Sequence, residues 1–391
     1  MREHYLDNSA TTRPSEAALT AMTEAANDWG NPSSVHSLGN AAAKRLSDCR
    51  NTVAKSLGLP RFSQDRLIFT SCGTESNNIA LLGCARAKKR NPDHPGTIVI
   101  SAGEHPSIDG PASLLEKEGY SLVRVPTSGG VLDLDFLADA LANAESPVIF
   151  AGFMLVNNET GALYDVKKAF SLVKAKFPDA VTHCDAVQGY MKTPFSPATL
   201  GADTLTVSAH KIHAPRGAAA LFLSAETIRR KNVVAVMPGG GQEGGWRSGT
   251  ENLCAIAAFA AAAEEGRVHF TENLEKVTEL RRYLDERLAA LEIPQNRPAN
   301  GIPHIASIVV PKMRSETVLN ALSGKGVYVS AGSACSAHSK KKSAALEAFG
   351  VSPDHADSTL RVSLSHTNEK EDIDALADGL DEILRTLQKK R

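Results

Sequence analysis

The sequence predicts an α/β fold: a mainly parallel sheet sandwiched by helices, with a smaller α/β domain beside it. Three observations predict it. Short apolar runs with no polar alternation recur through the first 223 residues, helical patterns separate them, and Pro294, Pro298 and Pro303 interrupt the chain before the pattern restarts. Strands buried on both faces read as continuous apolar runs, and the helices crossing between them make the sheet parallel.

The elements follow in order. Residues 67–70, 97–100, 148–150, 180–184, 205–207 and 220–223 read as doubly buried strands. Residues 75–90 and 166–176 fit crossover helices. A Gly-rich turn at 238–245 precedes one long helical stretch, 253–291. Beyond the prolines come a strand at 306–310, a helix, a loop around Cys335, a strand at 360–364 and an amphipathic helix to Leu387. The expected division is a large domain over 16–258 and a small one built from 1–15 with 259–391.

Composition narrows the function classes. The chain has 391 residues, 42% hydrophobic and 22% charged, with a net charge of -1. That balance is ordinary for a globular protein and points to no nucleic-acid or membrane partner. No apolar signal core follows Met1-Arg2-Glu3-His4, and the Ala-rich run 253–263 is too short for a bilayer core of about 30 Å. Six cysteines show no CxxC spacing, which predicts reduced thiols, no metal and a cytoplasmic location.

Ligands of parallel sheets bind beyond the carboxyl ends of the strands, so the polar residues there carry the chemistry. Ser208-Ala209-His210-Lys211 ends the run 203–207. A lysine at a buried strand end is costly, and the cost makes sense if its amine is a Schiff-base nucleophile. Ser208 and His210 could hold a phosphate. Together they suggest a pyridoxal phosphate enzyme, whose protein part aims the cofactor.

The other strand ends supply what that cofactor needs. Gly73 and Thr74 open a helix, where free N–H groups and the dipole favour an anion; the same residues also read as a plain N-cap region. Asp185 could pair with a protonated pyridine nitrogen and Gln188 with the ring hydroxyl, although Asp185 also reads as a helix cap. His105 could stack on the ring and move protons, or be a capping histidine. Asn158 could donate to a ring oxygen or a substrate carboxylate, or shape a turn. Glycines 239–249 lead to Thr250 and predict a rigid loop presenting it to a phosphate, a linker being the alternative. Arg361 in the last strand suits bidentate binding of a carboxylate, or a surface ion pair. Cys335 lies among Gly, Ser and Ala and is followed by His338 and Lys340-Lys341-Lys342, charges that favour its thiolate. Cys72 and the remaining cysteines are expected to be packing residues.

At this point the chain resembles the cysteine desulfurases, within the class V aminotransferase family of fold-type-I pyridoxal phosphate enzymes. The residues that carry the resemblance run almost end to end. They are Tyr5-Leu6-Asp7-Asn8-Ser9-Ala10-Thr11-Thr12, Gly30-Asn31-Pro32-Ser33-Ser34, Thr74-Glu75-Ser76-Asn77-Asn78, Glu104-His105 and Val156-Asn157-Asn158-Glu159. Asp185-Ala186-Val187-Gln188, Ser208-Ala209-His210-Lys211, Arg247-Ser248-Gly249-Thr250, Gly332-Ser333-Ala334-Cys335 and Leu360-Arg361-Val362-Ser363-Leu364 complete them.

The resemblance implies that Lys211 links to the cofactor and later moves protons, and that Asp185 holds the pyridine nitrogen. It implies that Gln188 holds the ring oxygen, that His105 stacks on the ring, and that Asn158 lies near ring oxygen and substrate. Gly73, Thr74, Ser208 and His210 are implied to cradle the phosphate, with Thr250 lent by a second subunit in an obligate homodimer. Arg361 is implied to bind the carboxylate of L-cysteine. Cys335 is implied to take its sulfur as a persulfide, release L-alanine and pass the sulfur to an acceptor protein. That acceptor would be an iron–sulfur scaffold or a sulfur carrier, serving iron–sulfur cluster assembly or tRNA thiolation. The chain departs from the family's usual residues at Cys72, Ala209, His213-Ala214 and Ser365-His366, all in the lining. Two rival readings stay open: selenocysteine cleavage or another class V reaction, and a non-enzymatic binding or scaffold protein.

Overall fold

The computed structural model describes residues 2–60, 66–89, 95–332 and 343–389. The strands are β1 His4–Tyr5, β2 Leu67–Thr70, β3 Thr97–Ser101, β4 Ser121–Val125, β5 Val148–Met154 and β6 Val181–Asp185. They continue with β7 Thr204–Ser208, β8 Ala219–Leu223, β9 Ile305–Val309, β10 Val327–Tyr328, β11 Ser330–Ala331 and β12 Thr359–Ser363.

Seven of them form one sheet in the order β2-β8-β7-β6-β5-β3-β4. The run from β7 to β4 is parallel, and β8 lies antiparallel to both β7 and β2. Side chains alternate between two cores, as the pleat requires. Ile98, Ile100, Phe150, Leu221 and Leu223 face the helices Gly73–Lys88 and Pro106–Lys117. Val99, Phe153, Leu205, Val207 and Phe222 face the opposite core, which includes Phe259 and Phe170. Both faces are thus covered, as expected of apolar runs without alternation.

β4 is absent from the sequence reading, and the reason is physical. It is an edge strand, its first residue is exposed and Arg124 interrupts it, so it carries no continuous apolar run. The single stretch 253–291 is two helices, Leu253–Val268 and Phe270–Ala290, parted at His269. The first is Ala-rich because it is wedged against the helices Glu16–Asn27 and Ser37–Ser56, where small side chains permit close approach.

The second unit has a three-stranded antiparallel sheet, β11-β12-β9, and a separate core containing Val277, Leu284, Ile308, Val362 and Leu376. Leu6 belongs to this core, and β1 pairs with β10, which ties the N-terminal segment to it. A division between residues 258 and 259 would cut the helix Leu253–Val268, whose Ala260, Ala262 and Ala263 pack with the large sheet. We propose the division at His269 instead.

Candidate active site

The register of the sheet brings the polar strand ends together. Asp185, the last residue of β6, lies opposite Met154 of β5 and Thr206 of β7. Ser208 ends β7, and the turn Ala209–Lys211 follows at once. Lys211 Nζ donates to the carbonyls of Ser9 (2.5 Å) and Ala10 (2.8 Å), so the Tyr5–Thr12 motif wraps around it. The His210 carbonyl accepts from the Thr12 amide at 2.9 Å, which fixes the same segment from the other side.

Asp185 is 7% exposed. Its Oδ1 accepts from the Val187 amide at 3.0 Å and its Oδ2 from Asn77 Nδ2 at 2.8 Å. Gln188 is buried; its Nε2 donates to Ser9 O at 2.9 Å and its Oε1 accepts from Lys192 Nζ at 3.0 Å. His105 caps the helix Pro106–Lys117 and its Nδ1 accepts from the Ser107 amide. Its imidazole is held below the usual range, chiefly by burial and further by Lys211, with Asp185 opposing. Burial, then the charges of Lys211, Lys192 and Arg216, pushes His210 down to about 3.

Gly73 starts the helix Gly73–Lys88, and a Cβ placed on it would meet Val187 Cγ2 at 3.1 Å and Ser208 Cβ at 3.9 Å. The glycine therefore lets the helix N-terminus close onto the ends of β6 and β7. Ser208 Oγ there is buried without a hydrogen-bond partner. An orphaned buried hydroxyl beside a helix N-terminus is an anion cradle in waiting. The donor set fits pyridoxal phosphate: Lys211 for its aldehyde carbon, Asp185 for the ring nitrogen, Gly73, Thr74 and Ser208 for the phosphate.

Arg361, in the middle of β12, is 3% exposed. Its Nη1 donates to Asn158 O at 3.0 Å and its Nη2 pairs with Asp7 Oδ1 at 2.8 Å. Its Nε is buried with no partner, a donor left for a carboxylate. The ion pair anticipated as an alternative for Arg361 exists, but it is buried rather than on the surface.

The loop 238–250 is pinned, as a rigid loop requires. Arg50 holds Glu243 bidentately at 2.6 and 2.7 Å, and the Phe69 amide donates to the same carboxylate. Arg247 pairs with Glu75 at 2.7 Å, in the first turn of the Gly73–Lys88 helix. Burial would raise the Glu75 carboxyl, but its bonds to Arg247 and Ser71 outweigh this and hold it low. Thr250 itself is exposed, and no hydrogen bond among the described residues ties it to the rest of the site in its own chain. Glu243 is almost fully enclosed, so Arg50→Met leaves a buried unpaired carboxylate. We expect a loss of about 3 kcal/mol of stability in urea unfolding; a loss under about 1 kcal/mol would contradict the pinned loop.

Sequence reasoning missed Asn77, Ser107, His183, Lys192 and Asp7 as partners of the site. Asn77 and Asp7 stand inside quoted motifs, but nothing in local spacing says whom they touch. Burial, with the charges of Lys211 and Arg361, lowers Lys192 to about 7. The expectation that Cys72 packs in a core is not met: it is exposed, at the N-cap position where β2 opens onto the site. Cys254 is only partly buried, whereas Cys49, Cys84 and Cys184 are buried as expected. Cys335, His338 and the lysines 340–342 lie outside the described residues. A cavity of about 1140 Å³ is lined by Asp7, Thr11, Arg13 and Arg216 but not by Lys211, Asp185 or His105, so chemistry rather than size locates the site.

A parallel-sheet switch region carrying a lysine, an aspartate and an anion cradle defines the architecture of the fold-type-I pyridoxal phosphate enzymes. The aminotransferase class-V family model matches residues 4–376, and the chain belongs to that family. It is similar to the cysteine desulfurase of Trichormus azollae, 34% identical over 98% of this chain and 93% of the relative. It is 33% identical to the cysteine desulfurase NifS of Azotobacter vinelandii, over 99% of this chain and 94% of that one. Among solved structures, a NifS-like protein superposes with a TM-score of 0.89 at 31% identity, covering 98% of this chain and 100% of the other. The NifS-like protein of Rickettsia africae gives 0.86 at 30% identity, covering 98% and 100%.

Proposed function

We propose that the chain is a pyridoxal-phosphate-dependent cysteine desulfurase acting on L-cysteine. The observation that carries this reading is Arg361, buried with an unused Nε and paired with Asp7, two residues before the Ser9 carbonyl that accepts from Lys211 Nζ. A guanidinium with a donor left for a carboxylate, together with an amine, a ring-nitrogen partner and an anion cradle, suits an amino-acid substrate. The near full-length likeness to proteins named cysteine desulfurase supports cysteine as that amino acid.

When bound, pyridoxal phosphate supplies an electron sink that acidifies the substrate Cα. Asp185 orients on its ring nitrogen, Gln188 and Asn158 on the ring oxygen, and Gly73, Thr74, Ser208 and His210 on its phosphate. Arg361 and Asn158 orient the substrate, and Lys211 and His105 hold and move protons. The Cys335 thiolate forms an S–S bond to the substrate sulfur while the substrate C–S bond breaks. The β-carbon freed of sulfur takes up the proton that the Cys335 thiol gave up on ionising, so Cys335 ends as a persulfide and L-alanine leaves. The persulfide sulfur then passes to an acceptor protein, an iron–sulfur scaffold or a sulfur carrier.

The exposed Thr250 suits a phosphate site completed by a second subunit, hence a homodimer. No helix among the described residues is long and apolar enough to cross a membrane, and a cytoplasmic location suits a reduced catalytic thiol. The test is to load the protein with the cofactor and supply L-cysteine, L-selenocysteine and a 2-oxo acid separately. Alanine from cysteine, with one sulfur retained on the protein, is the expected result. Alanine from selenocysteine alone would reassign the reaction to selenocysteine cleavage, and amino-group exchange to transamination.

A further inference from the structure

Asp185 and His105 are joined by a buried polar chain that the proposed chemistry does not itself use. The chain begins on the sheet. His183 stands on β6, two residues before Asp185, and stacks on Phe150 with ring centroids 5.7 Å apart. Burial pushes its imidazole down to about 3, so the ring is neutral with a single N–H. Its Nδ1 lies 2.8 Å from Thr204 Oγ1 and its Nε2 3.0 Å from Asn77 Oδ1. Asn77, 1% exposed, reaches Asp185 Oδ2 and Ser107 Oγ from Nδ2, each at 2.8 Å. Ser107 Oγ in turn lies 2.8 Å from His105 Nδ1.

The directions of these bonds are not free. A carboxylate only accepts, so the NH₂ end of Asn77 faces Asp185 and its oxygen faces His183. Nε2 of His183 therefore carries the proton, and Nδ1 accepts from the Thr204 hydroxyl. At the far end, the Ser107 backbone N–H donates to His105 Nδ1 at 3.1 Å, so that nitrogen is bare. The Ser107 hydroxyl accepts from Asn77 and has its own hydrogen left for the same nitrogen. Neutral His105 consequently carries its proton on Nε2. Both hydrogens of the Asn77 amide and its oxygen are used, and no acceptor faces an acceptor.

We infer that Asn77 is a positioning residue that orients the Asp185 carboxylate and, through the Ser107 hydroxyl, reinforces the Nε2–H form of His105 that the Ser107 backbone amide sets, so that one buried amide acts on both groups. The inference rests on the proposed function and deepens it. The placement is economical: Asn77 sits one turn into the helix whose first residue, Gly73, forms the anion cradle. Registration of that helix on the sheet fixes the cradle, Asp185 and His105 together.

The test compares wild type with Asn77→Leu, which keeps the branched shape and removes both donors and the acceptor. Three readouts are taken: pyridoxal phosphate affinity of the apoprotein by titration, the ¹⁵N NMR signal of His105 Nδ1 in the apoprotein, and thermal unfolding. Loss of a hydrogen bond to a charged group predicts about tenfold weaker cofactor binding, together with a shifted His105 signal. Affinity within twofold of wild type and an unmoved His105 signal overturn the inference, whether or not the melting temperature falls. Should Asn77→Leu fail to fold, Ser107→Ala removes only the hydroxyl link. It is then expected to move the His105 signal, and an unmoved signal overturns the coupling. A wild-type protein that binds no pyridoxal phosphate defeats the functional reading instead. The His105 signal needs no cofactor and judges the coupling separately.

Discussion

Lys211→Ala is expected to lower turnover of cysteine by at least about 10³-fold, the scale of a positioned acid–base group. The side chain follows β7 directly, and its amine donates to two backbone carbonyls, Ser9 and Ala10. Those bonds aim the amine without neutralising it, since a carbonyl carries no net charge. Among the described residues, no neighbouring group replaces it. Lys192 Nζ is committed to Gln188, and His105 Nδ1 is committed to Ser107. Alanine at 211 therefore removes the amine that follows β7 into the cluster, while Asp185 and the cradle stay in place. Borohydride treatment of the loaded protein should attach the cofactor permanently to wild type and not to the variant. A variant that still released alanine at the wild-type rate would sink the role assigned to Lys211.

The second large effect separates sulfur capture from the rest. Cys335→Ser is expected to bind the cofactor and L-cysteine normally, to form no persulfide, and to release alanine at least about 10²-fold more slowly. Serine is nearly isosteric, but its hydroxyl is far less nucleophilic than a thiolate. The residues flanking the segment that carries Cys335 lie near Arg361, the proposed carboxylate partner. Ser343 Oγ donates to Glu159 Oε2 at 2.6 Å, and a Cβ on Gly332 would lie 3.0 Å from the same oxygen. Glu159 adjoins Asn158, whose carbonyl holds Arg361. Both flanking residues thus lie close to Glu159, next to the carbonyl that holds Arg361. Absorbance on mixing with cysteine, with mass measurement for one added sulfur, reads the two halves apart. Normal sulfide release by Cys335→Ser would move the sulfur chemistry to another group and remove the reason for calling the chain a desulfurase.

Most of the large sheet was legible because a doubly buried strand is a local property. Leu67–Thr70 and Val181–Asp185 stand out by composition alone, and a Ser, Asp or Lys at the end of such a run is exposed to whatever the strand ends surround. The edge strand Ser121–Val125 escaped because it is not doubly buried. The break at His269 escaped because both flanking helices keep an apolar face, so the pattern runs on while the axis changes. Cys72 was misjudged from a general habit of free cysteines. Its exposure follows from lying where a strand meets a helix at the mouth of the site.

The sequence by itself determined the kinds of groups and their places: Lys211, Asp185 and His105 at strand ends, Gly73 at a helix start and Arg361 within the last strand. It could do so because burial pattern, turn chemistry and helix starts are written within a few residues of each other. Only the tertiary structure decided the pairings. Arg361 meets Asp7 across 354 positions, Arg50 meets Glu243 across 193, and Asn77 meets Asp185 across 108. The antiparallel turn of β8 and the closure of β1 onto β10 are decisions of the same kind. A hydrogen bond is specified by two groups arriving at one point with complementary donors and acceptors. That arrival depends on how every intervening element packs, and no short window of residues contains that information.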